Sequence, residues 1–466
     1  MSGEASEVRP PGGRLGVLQG TALCVGAVLG TGVIALPALA AEAAGPASLL
    51  AWLALVLLSA PLAGAFAALG ARHPDAGGVS TYARIAFGDR AAAVVGWCFF
   101  FAVPPGATAA ALFFGDYVAA ALDGGATHSG WAAVTLMLAV LAANTVGLRL
   151  TGRLRLVLAA LLAALLLCSV LLSLSDVRWE NLQPFAPHGW GAVGSAATLL
   201  VWSFAGWEAI THLAGEFRRP ARDLPRATAA AVLVVGVLYL SVAFAVVAVL
   251  GAGAARSEAP LGDLMARGLG GPAQTLAALA ALLLTFGVVN TYLASSANLG
   301  AALARDGALP APLSRGGAAG EVPRRSLAVV AGLALLLLVA VLSAGVGPKP
   351  LVLMTTGMFV TVYAVGVASA LRLLPRRSVG WWSALVSLVA VLALLLMTGR
   401  YLLWPVFVAV ASLVYLRLAG RVRRATSTPA SVPASVPVAG RAAPGGSAPR
   451  GREPGERAPR SDHEPV

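Results

Sequence analysis

Charge is what this chain has least of. Only 11% of its 466 residues are Asp, Glu, Lys or Arg, and 58% are hydrophobic. A soluble domain carries about a quarter charged residues. A chain this long and this apolar cannot cover its apolar surface in a water-soluble shape, which excludes an ordinary soluble domain and makes the bilayer its solvent. Lysine is nearly absent, with Lys349 the only one, and asparagine is scarce. Cys24, Cys98 and Cys168 sit singly in apolar stretches, with no disulfide or metal spacing. His73, His128, His188, His212 and His463 show no ligand spacing either, and no Ser–His–Asp set or phosphate loop stands out. These absences argue against an enzyme, a catalytic set, a metal site and a bound cofactor. The formal charge of +13 does not indicate nucleic acid, because the arginines fall in short clusters between apolar runs and in the C-terminal tail rather than as a stripe on a folded domain.

What the chain does have is long apolar runs. A bilayer core of about 30 Å needs roughly 20 apolar residues as helix. Twelve such runs lie near 15–40, 47–70, 91–122, 130–148, 154–175, 193–213, 227–252, 273–304, 326–346, 350–373, 380–397 and 401–419. They are too long and too uniformly apolar for the alternating strands of a barrel. The predicted fold class is therefore an all-α membrane protein with about twelve transmembrane helices.

The arginines orient it. One set of connections holds Arg72, Arg84 and Arg90; Arg149, Arg153 and Arg155; Arg218, Arg219, Arg222 and Arg226; Arg305, Arg315, Arg324 and Arg325; and Arg372, Arg376 and Arg377. Arg9 and Arg14 precede the first run, and Arg421, Arg423 and Arg424 follow the last. The alternate connections hold only Arg178, Arg256, Arg267, Lys349 and Arg400. This imbalance predicts that both termini are cytoplasmic. The N-terminal segment 1–13 lacks the layout of a cleaved signal, so the first run is expected to stay in the mature protein. The membrane domain is expected over 14–420. Residues 421–466 are rich in Pro, Ser, Gly and Arg, cannot bury a core, and are predicted to be a disordered basic tail.

Two runs contain residues that helices resist. The first reads Gly26-Ala-Val-Leu-Gly30-Thr31-Gly32 and continues to Pro37. Each glycine costs about 1 kcal/mol relative to alanine inside a helix, which argues for a break. The same Gly26–Gly30 spacing also suits close helix packing, and on this segment alone both readings stand. The sixth run, from Trp202 through Phe204, Ala205 and Gly206, carries Glu208 inside an apolar stretch. An acid there is expected to face a cavity or a partner, the alternative being a solvated position near the interface. Interrupted spans at matching places in two halves point to a transporter site, here if spans 1–5 and 6–10 are repeats. A broken helix frees amides at one half-helix start, which suit a carboxylate, and carbonyls at the other half-helix end, which suit an ammonium group. An amino acid carries both.

Four stretches carry a family resemblance: GAVLGTGVIALP from Gly26, HPDAGGVSTY from His73, WSFAGWEAITHLAGEFRRPARDLPR from Trp202 and ARDGALP from Ala304. In combination, over roughly 14–420, they resemble the amino acid–polyamine–organocation superfamily, and within it bacterial exporters of methionine and branched-chain amino acids. The resemblance implies a LeuT-like fold, a five-plus-five inverted repeat with broken first and sixth helices, in the bacterial cytoplasmic membrane. It implies that amides at Thr31 and Gly32, in the Gly30 break, receive the substrate carboxylate. It implies that carbonyls of Val28, Trp202 and Ala205 receive the ammonium. Trp202 and Phe204 would wall the side-chain pocket beside Gly206, although ordinary helix packing would also explain both aromatics. Glu208 would be a proton-coupling or gating acid. The fifth helix lacks the lysine that some proton-coupled relatives use, and Thr291, Ser295 and Ser296 on the eighth offer hydroxyls of the kind sodium-coupled relatives use, so the ion stays open. With no acid beyond Glu208 and no arginine in the candidate pocket, neutral apolar amino acids fit best. A broad importer or exchanger, or a transport-dead sensor of the same fold, are the alternatives.

Overall fold

A computed structural model describes residues 15–73, 77–147, 152–270, 272–317 and 321–426. The expected N-terminal segment 1–13, the tail beyond 426, residues 74–76 of the loop after the second span, and Arg149 lie outside the described residues. The described residues hold sixteen α-helices: α1 (Val17–Val28), α2 (Gly32–Ala44), α3 (Ser48–Arg72), α4 (Val79–Phe87), α5 (Asp89–Ala121), α6 (Ala126–Thr145), α7 (Gly152–Ser173), α8 (Ala192–Leu200), α9 (Ala209–Leu213), α10 (Pro220–Leu250), α11 (Pro260–Leu269), α12 (Pro272–Arg305), α13 (Arg324–Ala344), α14 (Lys349–Leu373), α15 (Val379–Met397) and α16 (Leu403–Thr426). Among them there is no strand, only an isolated parallel bridge between Leu15 and Phe217. Helices satisfy every backbone group within one segment, which lipid demands.

Eleven stretches are long and apolar enough to cross a bilayer. The sequence suggested twelve, and the difference lies at the first two. α1 has 12 residues, too few to span alone. α2 passes through a 3-10 turn at Gly45–Ala47 into α3, so Gly32–Arg72 counts as one stretch of 41 residues.

α5 is the centre of the packing. Of its most apolar stretch 83% is buried, against 17% for Gly399–Ala419, which belongs to the lipid-facing rim. α12, α14 and α6 pack around α5, while α3 and α10 pack together and α1 lies on α10. Pro104 and Pro105 sit inside α5. A proline there removes the bond to the carbonyl four residues back. The carbonyl of Phe100 is the one freed by Pro104, and it accepts from the Ser296 hydroxyl of α12 at 3.4 Å.

The ARDGALP stretch closes the arginine-rich side of α5. The Trp97 indole donates to the Ala308 carbonyl at 2.7 Å. Arg84 of α4 meets Asp306 at 3.3 Å and Asp89 at 3.3 Å. Both pairs are solvent-exposed and add little beyond register.

Candidate substrate site at two helix interruptions

α1 stops at Val28, and Leu29 turns to extended backbone. α2 resumes at Gly32, so Gly30 and Thr31 lie between two short helices. The Ile34 N–H of α2 donates back to the Thr31 carbonyl at 3.3 Å, whereas the Gly32 and Val33 amides precede any helical carbonyl of α2, and the positive end of the helix dipole lies there. The Thr31 side chain does not cap α2, and its hydroxyl is buried without a partner among the described residues.

The second interruption follows α8. Val201–Phe204 tightens into a 3-10 turn, Ala205 is extended, Gly206 takes φ +127°, and α9 begins at Ala209. Gly206 has this backbone because no side chain fits there: a Cβ would run into the Ala27 carbonyl oxygen and lie 3.1 Å from the Val28 Cα. Gly32 is tight from the other side, since its Cβ would lie 2.8 Å from the Ser203 Oγ and 3.2 Å from the Ser203 Cα. Glycine at these two positions lets the interruptions touch backbone to backbone. The Ser203 hydroxyl, like that of Thr31, is buried without a partner among the described residues.

Two tyrosines tie the interruptions to the scaffold. The Tyr239 hydroxyl of α10 lies 3.1 Å from the Val28 carbonyl and 3.0 Å from the Ser203 carbonyl. One O–H has a single proton, so it serves one of these carbonyls at a time. The Tyr363 hydroxyl of α14 donates to Glu208 Oε2 at 2.6 Å. The Gly206 N–H points at both, 3.0 Å from Glu208 Oε2 and 3.1 Å from the Tyr363 oxygen. Glu208 is 9% exposed, so it is buried and paired rather than solvated at an interface.

The aromatics divide between two walls. Trp202 tilts against Phe113 at 5.9 Å and stands beside Tyr292 of α12. Phe204 packs against Trp52 and Tyr239 at 5.7 and 5.2 Å. Beside Phe204, Tyr363 and Ser59 a cavity of about 20 Å³ remains. Ligand pockets run to about 300–1,000 Å³, so this cavity is far too small to hold an amino acid. Among the described residues of the two interruptions, Glu208 is the one acid.

Of the residues expected at the site, Val28 lies against Gly206 and Gly32 lies beside Ser203, next to Trp202 and Phe204 in the chain, while Trp202 and Phe204 face different neighbours. The Val28 carbonyl faces the Tyr239 hydroxyl, and the Trp202 carbonyl accepts from the Ala205 N–H at 3.2 Å. The eighth-helix hydroxyls are spent on backbone, Thr291 on Gly287 at 2.9 Å, Ser295 on Thr291 at 2.7 Å and Ser296 on Phe100. Tyr239 and Tyr363 were not singled out from the sequence, where each is one polar hydroxyl in an apolar run. Asp116 was also passed over. It is an acid inside α5, bonded by the Ser129 hydroxyl at 2.7 Å.

The arginine-rich face is latched. The Leu15 N–H donates to the Glu216 carbonyl at 3.0 Å, and the Arg218 N–H donates to the Leu15 carbonyl at 3.1 Å. Phe217 between them is buried against Gly20 of α1, where a Cβ would overlap its ring. The HPDAGGVSTY loop joins the same face. Gly78, at φ +54°, presses on the His212 ring, with the Thr211 Oγ1 2.7 Å from where its Cβ would be.

The described residues form a helical bundle with eleven stretches long and apolar enough to cross a membrane, which is consistent with a permease. Residues 15–435 match the amino acid permease family, and the chain belongs to that family. It is 34% identical over 408 residues to the uncharacterized amino acid permease YecA of Bacillus subtilis (strain 168), covering 86% of this chain and 95% of that protein. It is 31% identical over 421 residues to the L-methionine/branched-chain amino acid exporter YjeH of Escherichia coli (strain K12), covering 84% of this chain and 96% of that protein. A shorter match, 27% over 259 residues, joins it to the branched-chain amino acid permease BcaP of Bacillus subtilis (strain 168), covering 52% and 55% of the two chains.

Proposed function

We propose that this permease is a secondary active transporter that moves neutral apolar amino acids, namely methionine, leucine, isoleucine and valine, out across the bacterial cytoplasmic membrane by alternating access. The observation that carries the proposal is the contact of the two interruptions. That contact sets Ala27 and Val28 against Gly206 and Gly32 against Ser203, with the Thr31 and Ser203 hydroxyls buried without a partner among the described residues, and supports a site made of the amides of Thr31 and Gly32 and the carbonyls of Val28, Trp202 and Ala205. Amides at a positive helix end receive the substrate carboxylate, and the carbonyls receive its ammonium group. The ammonium competes with the Tyr239 proton for the Val28 carbonyl, and Tyr239 then serves Ser203 alone. Trp202 and Phe204 wall the substrate side chain. With Glu208 already engaged by Gly206 and Tyr363, no acid is left to pair a cationic side chain, which favours neutral apolar substrates. Export is supported by the likeness to YjeH.

In this reading α1–α2 and α8–α9 are the broken first and sixth helices of a five-plus-five inverted repeat, which makes twelve spans from the eleven apolar stretches. The arginine-rich face is cytoplasmic in this reading. Glu208 couples transport to protons or to gating, because its carboxylate holds the Gly206 amide that the interruption frees.

Displacement of labelled methionine from the purified protein tests the substrate class. Leucine, isoleucine and valine are expected to compete at concentrations similar to methionine, and lysine and glutamate only at far higher ones. Equal competition by lysine would replace this reading with a broad-specificity importer or exchanger.

A further inference from the structure

The short helix α11 packs against α2, α7, α10 and α12, on the side of the molecule away from the arginine-rich connections. It starts with Pro260, so the Leu261 N–H is its first amide and has no carbonyl within the helix to bond. Leu261 is fully buried, so water does not reach that amide while α11 is seated. Its partner is the Tyr117 hydroxyl of α5, at 3.3 Å. The same hydroxyl donates to the Ile34 carbonyl of α2 at 2.8 Å. Ile34 lies two residues beyond Gly32, in the first turn of the helix whose amides face the interruption. That turn is short of internal bonds, because Pro37 supplies no N–H to the Val33 carbonyl. Tyr117 itself is anchored in the most buried helix of the bundle.

We propose that Tyr117 is a positioning residue that locks α11 onto the first turn of α2, so that opening the face away from the arginines requires its two hydrogen bonds to break together. The lock acts while α11 is seated. When α11 lifts, water satisfies the Leu261 amide, whereas the Ile34 carbonyl keeps its place in the α2 ladder opposite the Ala38 N–H, so losing the hydroxyl penalises chiefly the state in which α11 is seated and the Leu261 amide is buried. Its consequence for transport rests on the substrate site proposed above, whereas its consequence for α11 does not.

The test is Tyr117→Phe, which keeps the ring and removes both bonds, in the full-length protein in lipid nanodiscs and in proteoliposomes. Tyr82→Phe serves as the control, since its hydroxyl binds the His73 carbonyl at 3.1 Å on the opposite face. Hydrogen exchange of the peptides holding Leu261 and Ile34 is expected to quicken roughly five- to twentyfold in Tyr117→Phe and to stay unchanged in Tyr82→Phe. The methionine KM measured from the face of α11 should fall, and that from the arginine-rich face should rise, by similar factors with little change in kcat. Unchanged exchange at Leu261 would overturn the lock. Faster exchange with both KM values unchanged would overturn the positioning role and leave a purely structural contact. A wild-type protein without methionine flux would count against the substrate site, while the exchange result would still decide the lock.

Discussion

Gly206 is where the account is most exposed to a single methyl group. Its φ of +127° lies in a region that residues with a side chain rarely occupy, at a cost of about 1–3 kcal/mol. A Cβ there would also meet the Ala27 carbonyl and come within 3.1 Å of the Val28 Cα, which is backbone and cannot rotate aside. Overpacking of this kind costs a further 1–3 kcal/mol or so. Together the Gly206→Ala penalty is roughly 2–6 kcal/mol, felt while the two interruptions touch. At about 1.4 kcal/mol per tenfold, methionine affinity should fall about thirtyfold or more, while the bundle stays folded. Gly332→Ala in α13 is the control, since a Cβ there would have no atom within 4 Å. It should change affinity by no more than a fewfold. The assay is equilibrium binding of labelled methionine to protein that elutes as a single species on size exclusion. Gly206→Ala with affinity within threefold of wild type would refute the claim that substrate binding needs this contact.

Glu208→Gln keeps an oxygen that accepts from Gly206 and Tyr363 but cannot exchange a proton. It should still bind methionine and lose the pH dependence of flux, and a wild-type pH profile would move the coupling role elsewhere. Trp202→Ala removes the ring that packs on Phe113 and should weaken methionine binding by about 2 kcal/mol or more in a folded protein, in line with the burial of an aromatic side chain. Unchanged binding would take Trp202 out of the pocket. Gly20→Leu should force Phe217 from its seat and loosen the latch at Leu15, read as faster hydrogen exchange at Leu15 and Arg218. Unaltered protection there would mean that the latch does not depend on this packing.

The membrane spans were legible because lipid imposes a length and a composition on each helix separately. Ten of the eleven apolar stretches coincide with single expected runs, and the remaining one merges the second half of the first run with the second run. The interruptions were legible in part. Gly32 and Gly206 stood out as glycines, but glycine signals a break and tight packing alike. Here both hold, because the chain breaks where two backbones meet. Glu208 was legible as an acid in an apolar run, although its engagement by Tyr363 was not. Tyr117, Tyr239 and Tyr363 were invisible as functional groups because each bonds backbone or side-chain atoms far along the chain. The Tyr239 partners Val28 and Ser203 lie 211 and 36 residues away. Periodicity and spacing report neighbours within a helix, and such pairings exist only after the helices pack.

The most direct measurement of the central claim is flux in proteoliposomes loaded with labelled methionine and diluted into methionine-free buffer at controlled internal and external pH. Efflux above that of protein-free liposomes, abolished in Gly206→Ala and accelerated by unlabelled leucine on the far side, is the expected result. Efflux no faster than from protein-free liposomes, for methionine and leucine alike, would contradict it.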